Sequence, residues 1–358
     1  MQAMNIVGRR KWYYLLSSVL LIPGVVALIL WGLPLGIDFT GGSLMELKFN
    51  REVTVSEVNS ALAEIGFGDS VVQVEADQIV VIKTRTLEGS GVEAVTDSTA
   101  EVPATEEPAV TLTDAESAVA DETVETVETE TTAQPVETVA TTGERGEIIA
   151  HLSDRFGTVE EISFESIGPV VSRELTWQAI NSVLIASLAI ILYIAWAFRH
   201  VPKPASSYRF GVTAILALVH DIFFLLGVFA ILGRFMNIEV DALFVVAALT
   251  VMGFSVHDSI VVFDRIREKL RVEMGQPFEV IANHSILETL GRSINTSFTV
   301  LLVLLAMLLF GGESIRDFNL ALLVGIIVGS YSSIFFAAPF LVDWQNWVDK
   351  RSQGMIRK

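Results

Sequence analysis

Ala242-Leu-Phe-Val-Val-Ala-Ala-Leu-Thr-Val-Met-Gly-Phe-Ser-Val-His-Asp-Ser-Ile-Val-Val-Phe263 is long and apolar enough to cross a membrane, yet it carries Asp258 about two-thirds of the way along. A spanning helix needs about 20 predominantly apolar residues to cover roughly 30 Å of hydrocarbon. An Asp near its centre costs roughly 2.5–3.5 kcal/mol on insertion scales, so such residues face a bundle interior or a wet cavity and often serve ion pathways. The alternative is a carboxylate that only packs helices or snorkels to the interface.

Working outward, comparable apolar runs occur at Trp12–Leu35, Trp177–Phe198, Phe210–Leu232, Ile294–Phe310 and Phe318–Val342, which with Ala242–Phe263 make six expected spanning helices. Hydrophobic residues are 51% of the chain, a composition that excludes a soluble enzyme. Arg9, Arg10 and Lys11 precede the first run as they would in a secretory signal. That run is too long, and no small-residue cleavage site separates it from the Gly36-Ile37-Asp38 turn, so a retained anchor is expected. Lys and Arg concentrate at 9–11, 199–209, 265–292 and 350–358. Because cytoplasmic loops carry the basic excess, both termini are expected in the cytoplasm, with 36–176 and the turns 233–241 and 311–317 outside.

The net charge of −18 comes mostly from one stretch. Residues 86–144 hold fifteen acids, no Lys, Arg or aromatic residue, and repeated Thr, Val and Ala. Such a composition cannot bury a core, so a disordered external insert is expected. Outside it the chain is nearly balanced, which makes nucleic acid an unlikely class of partner.

With the insert set aside, the external segment reads as strand 43–50, helix 55–65, strand 70–75, strand 78–84, helix 145–156 and strand 159–166. This β-α-β-β-α-β order is that of the ferredoxin-like unit, two helices covering one face of an antiparallel sheet. Glu75-Ala-Asp-Gln78 supplies the turn between the middle strands, and Thr54 or Ser56 with Glu57 supplies the first helix cap. The segment offers no nucleophile, metal cluster or phosphate loop, so a docking or substrate-contacting module without chemistry is expected, and no enzyme. The limits read this way are 1–35 for the N-terminus and first helix, 36–172 for the external domain, 173–344 for the remaining helices and 345–358 for a basic tail.

Ser255, Asp258 and Arg265 are spaced by three and seven residues along one helical face. Arg265 belongs either to that face or to the basic cytoplasmic flank with Arg267 and Lys269. Arg292, Asn295, Thr296 and Thr299 form a polar stripe at i, i+3, i+4 and i+7 that a lipid-facing helix would not keep. Arg292 is the obvious cation for Asp258 in at least one state, and a movement separating the two would drive proton uptake. The alternative is a static ion pair that fixes packing. His220 and Asp221 lie in the middle of the third run, and His257 precedes Asp258. Neighbouring helical residues point about 100° apart and no third ligand is evident, so a hydrogen-bonded or hydrated path is favoured over a metal, and no cofactor is expected. Gly325, Gly329 and Ser333 put small residues on one face of the last run, a packing signal.

Four motifs carry a resemblance covering almost the whole chain except the insert. They are Gly36-Ile-Asp-Phe-Thr-Gly-Gly42, Ile167-Gly-Pro169, Val256-His-Asp-Ser-Ile-Val-Val-Phe-Asp-Arg-Ile-Arg-Glu268, and Leu287 with Arg292-Ser and Thr296-Ser297. Together they resemble the SecF family, the smaller subunits of the bacterial SecD–SecF pair that assists Sec protein export, within a wider RND-like class of proton-driven exporters. The resemblance implies that Asp258 and Arg292 are the intramembrane proton-relay residues, and that Gly36, Asp38, Phe39, Gly41 and Gly42 form the family's motif after the first helix. His257 stands where relatives often carry Asn, and the acidic insert departs from the family's compact external domain. The implied protein is a multi-pass subunit of the cytoplasmic membrane that pairs with a SecD-type subunit. Its further implied partners are the SecYEG channel, a translocating unfolded polypeptide, protons and the lipid bilayer. A proton-coupled small-molecule exporter and a non-transporting scaffold of the Sec channel are the rival readings.

Overall fold

The computed structural model describes residues 5–74, 78–87, 143–202, 205–273 and 275–356. They divide into a membrane unit, residues 1–42 with 167–358, and an α+β unit, residues 43–166. In chain order the elements are α1 (Arg10–Trp31), α2 (Ile37–Thr40), β1 (Gly42–Phe49), α3 (Val55–Glu64), β2 (Val71–Val74), β3 (Ile79–Thr84), α4 (Glu144–Phe156) and β4 (Val159–Ile167). There follow α5 (Pro169–Ala197), α6 (Ser207–Met236), α7 (Ala242–Val272), α8 (Phe278–Phe310), α9 (Arg316–Ser332), a π-helical turn at Ser333–Ala337, and α10 (Ala338–Ile356).

The α+β unit has the expected order, and its sheet runs β2-β3-β1-β4. Alternation decides its register. Met45 pairs with Ile82 and Leu47 with Val80, and all four side chains are fully buried. A one-residue slip would turn the whole set to water. Against this face α3 lays Val58, Ala61 and Leu62, and α4 lays Ile148, Leu152 and Phe156. Thr54 and Glu57 close a reciprocal capping box at the start of α3, which selects Thr54 over Ser56 as the cap. The expected turn at 75–78 falls at 75–77 outside the described residues. So does most of the acidic segment, 88–142; at its edges Leu87 is buried and donates its N–H to the Ser43 hydroxyl at 3.1 Å, while Glu144 opens α4.

Among the described residues the membrane unit contains six helices long and apolar enough to cross a bilayer. Several run past the apolar windows. The stretch 265–292, expected as a basic loop, is helical through Val272 and again from Phe278, because its polar residues pair across the hairpin: Lys269 with Glu288 at 2.6 Å and Arg265 Nε with Glu288 at 2.6 Å. Ile266, Leu270, Ile281, Ala282 and Ile286 bury the apolar side of that extension. The expected basic tail from 345 is the end of α10, with Gln345 buried. Where α1 meets α6, a Cβ on Gly24 would lie 2.9 Å from the Gly227 Cα, so the two backbones touch through glycine. Asn283 accepts the N–H groups of Ile6 and Val7 at 2.8 and 3.2 Å, tying the chain start to α8.

Candidate functional site

Asp258 is 5% exposed and sits where α7, α8 and α9 meet. Its carboxyl group bonds Ser330 of α9 and Ser297 of α8, and those two hydroxyls lie 2.6 Å apart. Glycine makes this approach possible. A Cβ on Gly329 would stand 3.1 Å from the Ser255 Cβ, and one on Gly325 would strike the Val251 side chain. The Gly325-Gly329-Ser333 face therefore packs α9 onto α7, as its small residues suggest.

Arg292 is exposed and forms no ion pair among the described residues, so the structure does not bring it to Asp258. Asn295, Thr296 and Thr299 are exposed beside it, and Thr296 and Thr299 return their hydroxyls to their own helix at Arg292 O (3.0 Å) and Thr296 O (2.8 Å). His257 also points outward. Arg265 does not share a site with Asp258. It bridges Glu268 and Glu288, and Arg267 donates to Ala197 O at 3.0 Å at the end of α5, so both belong to the flank.

His220 and Asp221 are buried together on α6. Asp221 accepts from the Ser255 hydroxyl at 2.5 Å, from Ser332 at 2.7 Å, and lies 2.9 Å from His220 Nδ1. Nothing in the sequence singles out Ser297 on α8 as a partner of Asp258 or Ser17 on α1 as a partner of His220; for Ser330 and Ser332 the available signal is their place one residue and one turn beyond Gly329 on the last span. Among the described residues no group of three or more His, Cys, Asp or Glu is gathered as for a metal ion.

The Gly36–Gly42 motif has a structural task at the start of α7. Gly36 N–H reaches Val240 O at 2.8 Å, and Val240 N–H reaches Pro34 O at 2.7 Å. Asp38 Oδ2 then accepts the Ala242 N–H at 2.7 Å, next to Asp241, which accepts from Phe244 N–H at 2.7 Å. Two carboxylates thus serve the free N–H groups and positive end of the helix that carries Asp258. Burial pushes the Asp241 carboxyl above its ordinary range; the Phe244 N–H opposes this and the nearby Asp38 charge adds to it. Gly41 takes φ +72°, and a Cβ there would lie 3.3 Å from the Ser172 hydroxyl on α5; Phe39 packs against the apolar cluster that includes Leu225, Phe229 and Phe244.

Residues 148–347 match the family model for the C-terminal region of the protein export membrane proteins SecD/SecF, and residues 32–53 match the SecD/SecF GG motif. The chain belongs to the SecD/SecF family. It is 42% identical over 342 residues to the protein translocase subunit SecF of Thermobaculum terrenum, covering 96% of this chain and 94% of that one. The SecF of Anaerolinea thermophila is 36% identical, with 96% of each chain covered. The crystal structure of SecDF from Thermus thermophilus, a translocon-associated membrane protein, superposes with a TM-score of 0.71 at 28% identity. That match covers 96% of this chain and 39% of the longer one. The fold is accordingly SecDF-like, and the chain is a SecF-type translocase subunit of the cell membrane, a transport protein and not an enzyme.

Proposed function

We propose that this chain, paired with a SecD-type subunit, uses the proton gradient to assist late steps of Sec-dependent protein export, with Asp258 as the residue that takes and releases the proton. Export itself follows from family membership. The coupling rests on one observation: Asp258 is an acid buried at a three-helix junction, partnered by the hydroxyls of Ser297 and Ser330 and, among the described residues, by no Lys or Arg. An uncompensated carboxylate is costly in that setting, and protonation relieves the cost.

The exposed stripe of Arg292, Asn295, Thr296 and Thr299 supports the pairing, because a polar stripe on a spanning helix needs a protein or a wet cavity opposite it. Arg292 meets Asp258 in an alternate state, and Asn295, Thr296 and the outward His257 line the partner side. Both termini lie in the cytoplasm, the α+β unit lies outside where it contacts the emerging polypeptide, and the complex works on SecYEG. About 2.3 kcal/mol is available per charge per 100 mV, so a few protons supply useful work without ATP. A small-molecule exporter is disfavoured by the compact α+β unit, which has a single four-stranded sheet among its described residues.

The test is gradient-dependent translocation of a stalled preprotein in vesicles holding the chain with SecD, comparing wild type and Asp258→Asn. Loss of the gradient response in an assembled complex supports the coupling role. An unchanged response removes it and leaves the scaffold reading.

A further inference from the structure

Asp221 is a second buried acid that the Asp258 mechanism does not use. It is 1% exposed, and no Lys or Arg pairs with it among the described residues. Its companions are the hydroxyls of Ser255 and Ser332 and the ring of His220. The other titratable groups on the surrounding helices are engaged elsewhere or turned away. Tyr14 on α1 donates to Asp343, Tyr331 on α9 donates to Tyr13 O, Asp258 on α7 bonds Ser297 and Ser330, and His257 and Arg292 are exposed.

His220 is built to change its proton count without breaking this network. Nδ1 lies 2.9 Å from Asp221, Nε2 lies 2.5 Å from the Ser17 hydroxyl of α1, and the ring stacks on Phe336 with centroids 4.8 Å apart. With one ring proton, Nδ1–H donates to Asp221 and Nε2 accepts from Ser17. With two, both nitrogens donate and Ser17 rotates its hydroxyl to accept. Every heavy atom keeps its place, and the added charge neutralises the Asp221 carboxylate.

Two clefts in the bundle border the ring. Cavities of about 380 and 290 Å³ are each lined by both Ser17 and His220, the first bounded by Phe223 and Phe336 and the second by Phe224 and Tyr331. On its inner side the site approaches Asp258 through serines: Ser255 bonds Asp221, Ser333 donates to Ser255 O at 3.1 Å, and Ser333 lies 2.9 Å from Ser259, next in chain to Asp258.

We infer that His220 and Asp221 form a second proton-binding site, loaded and unloaded past Ser17, in series with Asp258. The inference rests on the proton-coupled reading above and adds a station to it. The π-helical turn at Ser333–Ala337 places Phe336 on the ring and the Ser333 hydroxyl on Ser255 O and the Ser259 hydroxyl, a local irregularity of the kind found at functional sites.

The experiment is ¹⁵N-histidine magnetic resonance on the full chain with its SecD partner in lipid vesicles, with the His220 signal assigned by its loss in His220→Gln. The expected result is a change between one and two ring protons in a single pH-dependent step. That step is lost in Asp221→Asn and displaced in Ser17→Ala, which keeps both charged groups and so guards against a folding defect. A His220 ring holding one proton over the whole range in which the complex stays assembled overturns the inference, as does a step indifferent to both variants. Gradient-driven translocation is measured on the same samples. If Asp258→Asn translocates normally while His220 titrates, the coupling role of Asp258 fails and the second site stands; if Asp258→Asn is inactive and His220 is silent, the reverse holds.

Discussion

The α+β unit and the membrane unit both bury apolar side chains, and they differ in what else they bury and in what they expose. In residues 43–166 the sheet and two helices enclose Met45, Leu47, Phe49, Leu62 and Ile148 and leave their charges outside, as water requires. In the helix bundle Trp12, Ile29, Ile185 and Leu309 are exposed, and Asp221, Asp258, Ser255, Ser259, Ser332 and Ser333 lie within. Lipid offers apolar side chains no reason to associate, so close backbone packing and hydrogen bonds carry the bundle. The lesson is in what each core admits: the core of the α+β unit is apolar packing, whereas the core of the membrane unit also admits two acids among its apolar residues.

The largest expected effect is on backbone contact in the bundle. Gly227→Val puts a branched side chain where a Cβ alone would stand 2.6 Å from the Gly24 Cα, and backbone cannot yield as a side-chain tip does. Assembled protein should be lost, read by size-exclusion profile in detergent. Recovery of normal, monodisperse protein would mean that α1 and α6 are held by something other than this crossing.

Next in size is the soluble core. Leu62→Ala removes a fully buried side chain between α3 and the sheet and should cost about 2–5 kcal/mol, the range for such truncations. Urea titration followed by limited proteolysis of the α+β unit in the intact protein checks it. The contrast sharpens if Leu309→Ala, at an exposed apolar site on α8, leaves the profile of the bundle unchanged.

These two regions were not equally legible in the sequence. Strand alternation and the Thr54–Glu57 pair located the β-α-β-β-α-β elements to within a residue or so, because period and capping are local properties. The spanning helices were visible from their apolar lengths, but their ends were not. The apolar window stops at Phe263 while α7 continues to Val272, since Arg265 and Lys269 are satisfied by Glu288 on another helix. The partners of Asp258 were hidden for the same reason. Charge complementarity points to Arg292, but close packing at Gly325 and Gly329 brings serines to the acid instead. Asp38 capping α7 across 204 residues of chain has no local signature at all.

Two caps of similar chemistry then permit a smaller comparison. Thr54→Ala on α3 and Asp38→Ala at α7 each remove a side-chain acceptor from helix N–H groups, which typically costs about 1 kcal/mol. Thermal unfolding should fall modestly in both. Only Asp38→Ala should also alter the gradient-dependent step, because α7 carries Asp258. Equal functional effects from both would show that the Gly36–Gly42 motif serves stability alone.

The smallest effect, and the most specific, belongs to Asp241. Burial chiefly, with help from the Asp38 charge and against the Phe244 N–H, raises its folded-state pKa above the unfolded value. Folding therefore favours the protonated form. The stabilisation from that proton is fully present below the unfolded pKa and is lost as pH rises through the raised folded one. Asp241→Asn keeps an oxygen acceptor for Phe244 N–H but cannot ionise. Wild type and variant should thus unfold at similar temperatures in acid, and the variant should be the more stable above the pH at which Asp241 loses its proton. Differential scanning calorimetry of the two proteins across that range reads the difference directly. A variant less stable than wild type at neutral pH would mean that the charge on Asp241 favours the α7 terminus more than burial opposes it, making Asp38 and Asp241 a cooperative anionic cap.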